Sequence, residues 1–275
     1  MAEITIADIK ALRERTGAGM TDTKNALVEA DGDIELAVDI LRKKGQSRLA
    51  KREGNATSEG VVAAVVGEGS ATMIELSCET DFVAKGEKFI ALSEAVLAAA
   101  AAAKANSVDE ALAAPAAAGT VADLIAAEAG VLNEKTELRR VVTLTGEKFA
   151  VYLHKTSQDL PPQIGVIVAY TGDDAETARS IAQHISFANP TVLTREDVPA
   201  EDVERERAVV TEISLAEGKP EAALPKIIEG RLGAYFKQVA LLEQEYAKDN
   251  KLSIAQVLEQ SGLTVTGFAR FKVGA

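Results

Sequence analysis

Three side chains in this sequence carry the chemistry of a nucleophile, a soft metal ligand or a neutral-pH proton shuttle: Cys78, His154 and His184. A structural zinc site takes four sulfur or nitrogen ligands, so the usual zinc clusters are out of reach. A Cys–His dyad for nucleophilic catalysis is formally open. Against it, Cys78 alternates with Ile74 and Leu76 in a run that reads as a strand, and free cysteine is among the most buried residue types. The adjacent carboxylates Asp173 and Asp174 stand at the head of a helical pattern, where capping explains them better than acid–base work. Phosphate chemistry lacks its loops. No G-x-x-x-x-G-K followed by Ser or Thr occurs, and no G-x-G-x-x-G follows a strand. Gly17 and Gly19 lie between two helical patterns instead. The expectation is a chain that is not an enzyme and takes no metal, cofactor or nucleotide of its own.

The elements that carry these residues begin with a three-helix unit in residues 1–45. Thr5 can cap a first helix with Asp8 three residues on, ahead of Ile6, Ile9 and Leu12. Thr16-Gly17-Ala18-Gly19-Met20 is a tight turn. Thr21 or Asp22 is expected to cap a second helix through Ala26, Leu27 and Ala30. Asp31-Gly32-Asp33 makes the next turn. Ile34, Ala37, Val38 and Leu41 mark one face of a third helix, which Gly45 should stop. Residues 46–58 are polar and basic and read as a linker.

Beyond the linker the pattern changes. Residues 61–66 are rich in valine, Gly67-Glu68-Gly69 is a turn, and Ile74, Leu76 and Cys78 alternate with Glu75 and Ser77. That predicts a hairpin with one buried face. One long helix is expected from Asp81 into the alanine-rich residues 98–118, which Pro115 and Gly119 interrupt. A short helix near 121–129 and a strand opening at 141–144 follow. Residues 146–192 repeat the plan. Strands at 149–153 and 164–170 precede a helix carrying Ala178, Ile181, Ile185 and Ala188, which Asn189-Pro190 stops. This shared order predicts an internal duplication. Residues 200–246 read as a helical hairpin. Val203, Val210 and Ile213 lie on one arm, Gly218-Lys219-Pro220 makes the turn, and Leu224, Ile227, Ile228, Leu232, Tyr235, Val239 and Leu242 lie on the other. Two helices alone have little core, so the hairpin is expected to pack on something else. Residues 265–273 suit an edge strand.

Composition narrows the function classes. The chain has 275 residues, 47% of them hydrophobic but only 4% aromatic, so alanine and branched aliphatics must build the cores. Acidic residues number 42 against 30 basic ones, a net charge of −12. A phosphate-backbone binder needs a clustered basic surface, and the nearest approach is the short run from Arg42 to Arg52. Protein partners are expected, with no direct nucleic acid. The longest apolar run, residues 95–103, falls far short of the ~20 residues of a membrane span. Residues 1–10 lack a signal-peptide pattern, and a single cysteine suits a reducing compartment. No membrane contact and a cytoplasmic location are expected.

Two stretches carry a family resemblance. Residues 12–27, L-R-E-R-T-G-A-G-M-T-D-T-K-N-A-L, resemble the N-terminal signature of the elongation factor Ts family, and residues 78–85, C-E-T-D-F-V-A-K, resemble its central one. The similarity continues through Ile164-Gly165-Val166, Asn189-Pro190, Gly218-Lys219-Pro220, Glu229-Gly230-Arg231 and Gly267-Phe268-Ala269-Arg270-Phe271. It spans nearly the whole chain in family order. Lys85 stands where arginine is common, Gly86 where asparagine often closes the central signature, and Thr21 replaces the second of a frequent Met-Met pair. The chain stops soon after Phe271, without the extra C-terminal helix of some members.

The resemblance implies an α+β fold: an N-terminal three-helix bundle of the ubiquitin-associated type, two related α/β core subdomains and an inserted helical hairpin. The corresponding boundaries are residues 1–54 for the bundle and 55–145 for the first subdomain. Residues 146–192 with 242–275 make the second, and 193–241 the hairpin, of a dimerisation type. It implies guanine nucleotide exchange on elongation factor Tu, met in GDP-bound and nucleotide-free forms, and leaves a homodimer or a two-to-two complex open. Asp81 and Phe82 match a pair that enters the partner's nucleotide domain near its magnesium site. Arg13, Met20, Thr21 and Lys24 match positions that grip the same domain, Leu132 and Asn133 a contacting loop, and His154 a contact to another partner domain. Spacing alone reads Phe82 differently. It joins Phe89 and Val96 in an apolar row beside a Val83, Ile90 and Leu97 core stripe. The alternative from the bundle alone is a non-catalytic scaffold or ubiquitin-like binding module.

Overall fold

The computed structural model describes residues 4–117 and 119–275, with the side chains of Gln46, Arg48 and Leu49 left aside. Residues 1–3 of the N-terminal unit and Ala118 of the alanine-rich tract lie outside the described residues. The unit forms α1 (Ile6–Thr16), α2 (Met20–Glu29) and α3 (Ile34–Ala50) around Leu12, Ala26, Leu27, Ala30 and Ala37. Thr5 and Asp8 close a full capping box at the start of α1, and Gly17, at φ 67°, ends it in the left-handed conformation glycine adopts without strain.

Two expectations are corrected here. Helix α2 starts at Met20 with Gly19 as its cap, so Thr21 and Asp22 lie inside its first turn. Helix α3 runs past Gly45 to Ala50. A Cβ on Gly45 would stand 3.5 Å from the Gly130 Cα. The glycine therefore serves a close helix–helix approach rather than a stop, and the linker shrinks to residues 51–58.

The next segment runs β1 (Glu59–Gly67), β2 (Ser70–Cys78), α4 (Asp81–Ala84), α5 (Glu87–Ala102), α6 (Val108–Ala113), β3 (Pro115–Ala116), β4 (Gly119–Thr120), α7 (Val121–Leu132) and β5 (Thr136–Thr145). Strands β1, β2 and β5 form an antiparallel sheet with β2 in the middle. The later segment repeats it with β6 (Lys148–His154), β7 (Ile164–Thr171), α8 (Ala175–Ala188) and, much further on, β10 (Thr264–Lys272). Here β7 is central and β10 lies on the edge. In each half a hairpin is followed by helices, and a later strand returns to the hairpin's second strand.

Helices cover the outer face of each sheet. Ile74, Leu76 and Cys78 pack with Phe89 and Val96, while Val166, Val168 and Tyr170 pack with Ile181 and Ile185. The inner faces pack on each other through Val62, Ala71, Met73, Ile167 and Val273. This corrects the one-faced hairpin: β2 is buried on both sides. Glu75 is fully buried there and ion-paired to Arg140, and its Oε1 accepts the Gly274 N–H. Pairing of this kind is what a buried carboxylate requires.

The long helix expected from Asp81 is broken. Gly86 is the N-cap of α5, so α4 is a separate four-residue turn. The break resets the helical phase. Phe89, Leu92, Val96 and Leu97 enter the core, whereas Phe82 does not.

The hairpin consists of α9 (Ala200–Ala216) and α10 (Leu224–Val239). After it come β8 (Glu245–Tyr246), β9 (Asp249–Ser253) and α11 (Ile254–Ser261). Its arms bury Val210, Ser214 and Leu232 and are laced by Arg207–Glu229 and Arg231–Glu217. Its base is fixed by Arg195, whose guanidinium forks onto Glu243 at 2.6 Å for each contact. The principal contacts of the hairpin are thus arm on arm and at this base, not on a core, and Ile213 is 44% exposed.

Candidate partner-binding site

Thr80 is the N-cap of α4, its Oγ accepting from the Val83 N–H. Ala84 plugs the turn into the first core. With the turn oriented this way, Phe82 projects outward at 74% exposure. Spacing alone places it in the core, and the Gly86 break is the reason it is not there. Lys85 stands 4.5 Å from the Phe82 ring centroid and 3.2 Å from Asp81, so the exposed ring is flanked by a cation and its counter-ion.

The neighbouring loop supplies the mount. The Glu134 carboxylate accepts the N–H groups of Glu79 and Thr80 at 3.2 and 3.0 Å and the Thr80 hydroxyl at 2.6 Å. Glu79 in return accepts the Lys135 N–H at 2.7 Å, Asn55 at 2.7 Å and Arg52 at 2.9 Å. Burial works against the Glu79 carboxylate, but these donors outweigh it and hold it below the ordinary carboxylate range. Sequence reading missed Glu79, Glu134, Arg52 and Asn55. The only sequence signal was that Glu79 lies inside the central signature.

Leu132 is the last residue of α7 and Asn133 its C-cap, at the head of the same loop. Leu132 packs on the first core, and Asn133 is the exposed left-handed cap of α7. The bundle reaches this region through the turn at Gly17, where a Cβ would strike Val131 Cγ1 at 2.5 Å and Lys88 Nζ at 2.3 Å. That contact sets the turn between α1 and α2 against Val131 of α7 and Lys88 of α5. Met20 is 54% exposed at the start of α2, and Arg13, Thr21 and Lys24 are exposed on α1 and α2. Lys88 lies two residues beyond Gly86, the N-cap of α5, so the bundle touches the helix that directly follows the Phe82 turn. His154 is elsewhere. It ends β6 opposite Ile164 in the second sheet, and its Nδ1 pairs with the Tyr152 hydroxyl at 3.0 Å.

The reactive groups are placed apart. Cys78 is fully buried on the core face of β2, and its thiol is pushed up to about 12, by burial first and then by the Glu134 carboxylate. A thiol of this kind is almost never a thiolate at neutral pH. His184 lies on α8, its Nδ1 accepting the Ala247 N–H at 3.2 Å and its Nε2 facing Gln244 Oε1 at 2.9 Å. Among the described residues no cluster of three or more His, Cys, Asp or Glu side chains could hold a metal ion. No helix among them is long and apolar enough to cross a membrane.

Comparison with known proteins agrees with this architecture. A family model described as elongation factor TS matches residues 79–275. Elongation factor Ts of Leifsonia xyli subsp. xyli (strain CTCB07) is 71% identical over 276 residues, covering 100% of both chains. That of Clavibacter michiganensis subsp. michiganensis (strain NCPPB 382) is 69% identical over 275 residues, and that of Micrococcus luteus 53% identical over 277, again with 100% of both chains covered. With a family match over most of its length and relatives similar from end to end, the chain belongs to the elongation factor Ts family and is a translation elongation factor.

Proposed function

We propose that the protein is a guanine nucleotide exchange factor for elongation factor Tu. It binds the GDP form, releases GDP by disturbing the magnesium and phosphate site, and frees the nucleotide-free form to take GTP. It is not an enzyme in the chemical sense. The observation that carries this reading is Phe82, a large apolar side chain 74% exposed on a helical turn anchored from below. An isolated surface phenylalanine needs no explanation by itself. The Phe82 turn is tied through Thr80 to Glu134, next to Asn133, and the family resemblance implies partner contacts from Asp81 and Phe82 as well as from Leu132, Asn133 and Met20.

Magnitudes bound the mechanism. A ~10⁴-fold acceleration requires a barrier lower by ~5.5 kcal/mol, and burial of one Phe contributes ~1.5–3 kcal/mol. Phe82 therefore does not act alone. Contacts from Arg13, Met20, Thr21 and Lys24 on the nucleotide domain, and from His154 on another domain, supply binding energy that is released against the GDP site. Linkage requires that GDP weaken binding of this protein by the same factor.

The test is release of a fluorescent GDP from purified elongation factor Tu with this protein at substoichiometric amounts. Fast release with many turnovers per molecule is the expected result. Unchanged release from a verified active partner overturns the proposal.

A further inference from the structure

The mount of the Phe82 turn is built more strongly than a four-residue helix requires, and it is built from charged groups. An isolated helical turn is unstable in water because nucleation fixes several dihedrals for one hydrogen bond. An exposed ring at its surface adds no packing to hold it. A side chain that must push into another protein therefore depends on the rigidity of the backbone beneath it.

That rigidity comes from two carboxylates arranged reciprocally. Glu134, on the 133–135 loop, receives two consecutive backbone N–H groups and the hydroxyl of the capping Thr80. Glu79, on the loop of the turn, receives the N–H of Lys135. Each loop thus holds the backbone of the other, across about 55 residues of sequence. Glu79 also gathers Arg52 and Asn55 from the linker that follows α3, and Lys135 Nζ reaches the Glu53 carbonyl at 2.9 Å. Three segments meet at this latch: the Phe82 turn, the loop after Leu132 and Asn133, and the chain leaving the N-terminal bundle.

We infer that the Glu79–Glu134 latch is a positioning device for exchange: it holds the Phe82 turn rigid against the first subdomain, so that binding energy from the bundle and the Asn133 loop is delivered through Phe82 rather than lost in bending. The inference rests on the exchange reading given above. Neither carboxylate needs to touch the partner. Their effect falls on how fast nucleotide leaves the bound complex and not on how tightly the complex forms. Small misplacements of a working group cost on the order of 10²-fold when its geometry matters.

The experiment is stopped-flow release of fluorescent GDP from elongation factor Tu with the full chain, titrated to saturation. It compares wild type with Glu134→Ala, Glu134→Gln, Phe82→Ala and the double variant Glu134→Ala/Phe82→Ala. Glu134→Ala is expected to lower the saturating rate on the order of tenfold or more, with the half-saturating concentration changed by less than about twofold. Glu134→Gln, which keeps an acceptor for the backbone N–H groups, should recover most of the rate. In the Phe82→Ala background the Glu134→Ala change should add almost nothing, because both remove the same action. A normal saturating rate for folded Glu134→Ala, or an equal loss in both backgrounds, overturns the latch while leaving the exchange function standing. Wild type without any acceleration overturns both. If circular dichroism shows Glu134→Ala unfolded, Thr80→Val decides. It removes only the hydroxyl contacts and should give an intermediate rate; an unchanged rate overturns the latch.

Discussion

At the residue scale Phe82 and His184 mark two opposite cases, one side chain exposed and one buried. Phe82 buries little of itself in the fold, so truncation should leave the melting temperature within about a degree, surface changes being small. The same Phe82→Ala change should slow GDP release roughly 10- to 100-fold, the loss of ~1.5–3 kcal/mol of burial on the partner. A parallel melt and release assay checks both. Unfolding of the variant would restore the core reading.

His184 makes the opposite case. Burial first, offset in part by the Gln244 hydrogen bond, depresses its pKa below the ordinary 6.5. Because Ala247 donates to Nδ1, the neutral ring must carry its proton on Nε2, and protonation would set an N–H against an N–H. The depressed histidine stabilises the fold above its unfolded pKa, and that contribution is lost as pH falls through its folded value. Melting temperature should therefore drop from about pH 7 towards pH 5, and His184→Gln should flatten that part of the profile. Lys237 and Glu245 line the same recess, so the slope should be read at fixed, moderate salt.

At the element scale, glycines decide how neighbours meet. Helix α3 crosses α7 where Gly45 faces Gly130, and this crossing docks the bundle on the core. A Cβ on Gly130 would lie 3.9 Å from Gly45 Cα, an ordinary contact. Gly130→Ala is therefore expected to be neutral or to stabilise by up to about 1 kcal/mol through helix propensity. Gly130→Leu must part the helices and should expose the linker to proteolysis at the junction after Ala50, read as faster limited cleavage by trypsin at Lys51 or Arg52. The same scale explains which boundaries the sequence misplaced. Gly45 and Gly86 look alike as helix breakers, yet one lies within a helix and the other caps one. Gly45 faces the Gly130 backbone of another helix, which local composition does not contain, whereas Gly86 meets only the carbonyls of the turn before it.

At the scale of the whole molecule, two three-stranded sheets pack face to face with helices outside, and Gly165 lies at their contact. A Cβ there would meet Val62 Cγ1 at 2.4 Å and Met73 Sδ at 2.9 Å. Gly165→Val should overpack the inter-sheet layer by about 1–3 kcal/mol, or several degrees of melting temperature. A chemical-denaturant midpoint measures it, and an unchanged midpoint would show that the sheets slide apart freely. The two halves are further joined by Arg140, which pairs with Glu75 of β2 and donates to the Lys272 carbonyl beyond them. The C-terminal strand is thereby tied to the first sheet as well as to its own.

What the sequence determined by itself was the order of elements. Alternation in residues 74–78, the capping box at Thr5 and the Asn189-Pro190 stop are local, and each is written in neighbouring residues. The repeated order of hairpin and helix, and the motifs that resemble the elongation factor Ts family, are also one-dimensional. Tertiary structure decided everything that depends on covering. Both faces of β2 are buried because a second sheet arrives from elsewhere in the chain, so its polar positions Glu75 and Ser77 had to find partners. Phe82 is exposed because Gly86 interrupts the helix and Ala84 takes the inward position. The Glu79–Glu134 latch was invisible because its two sides are far apart in sequence, and a carboxylate's hydrogen bonds leave no periodic trace.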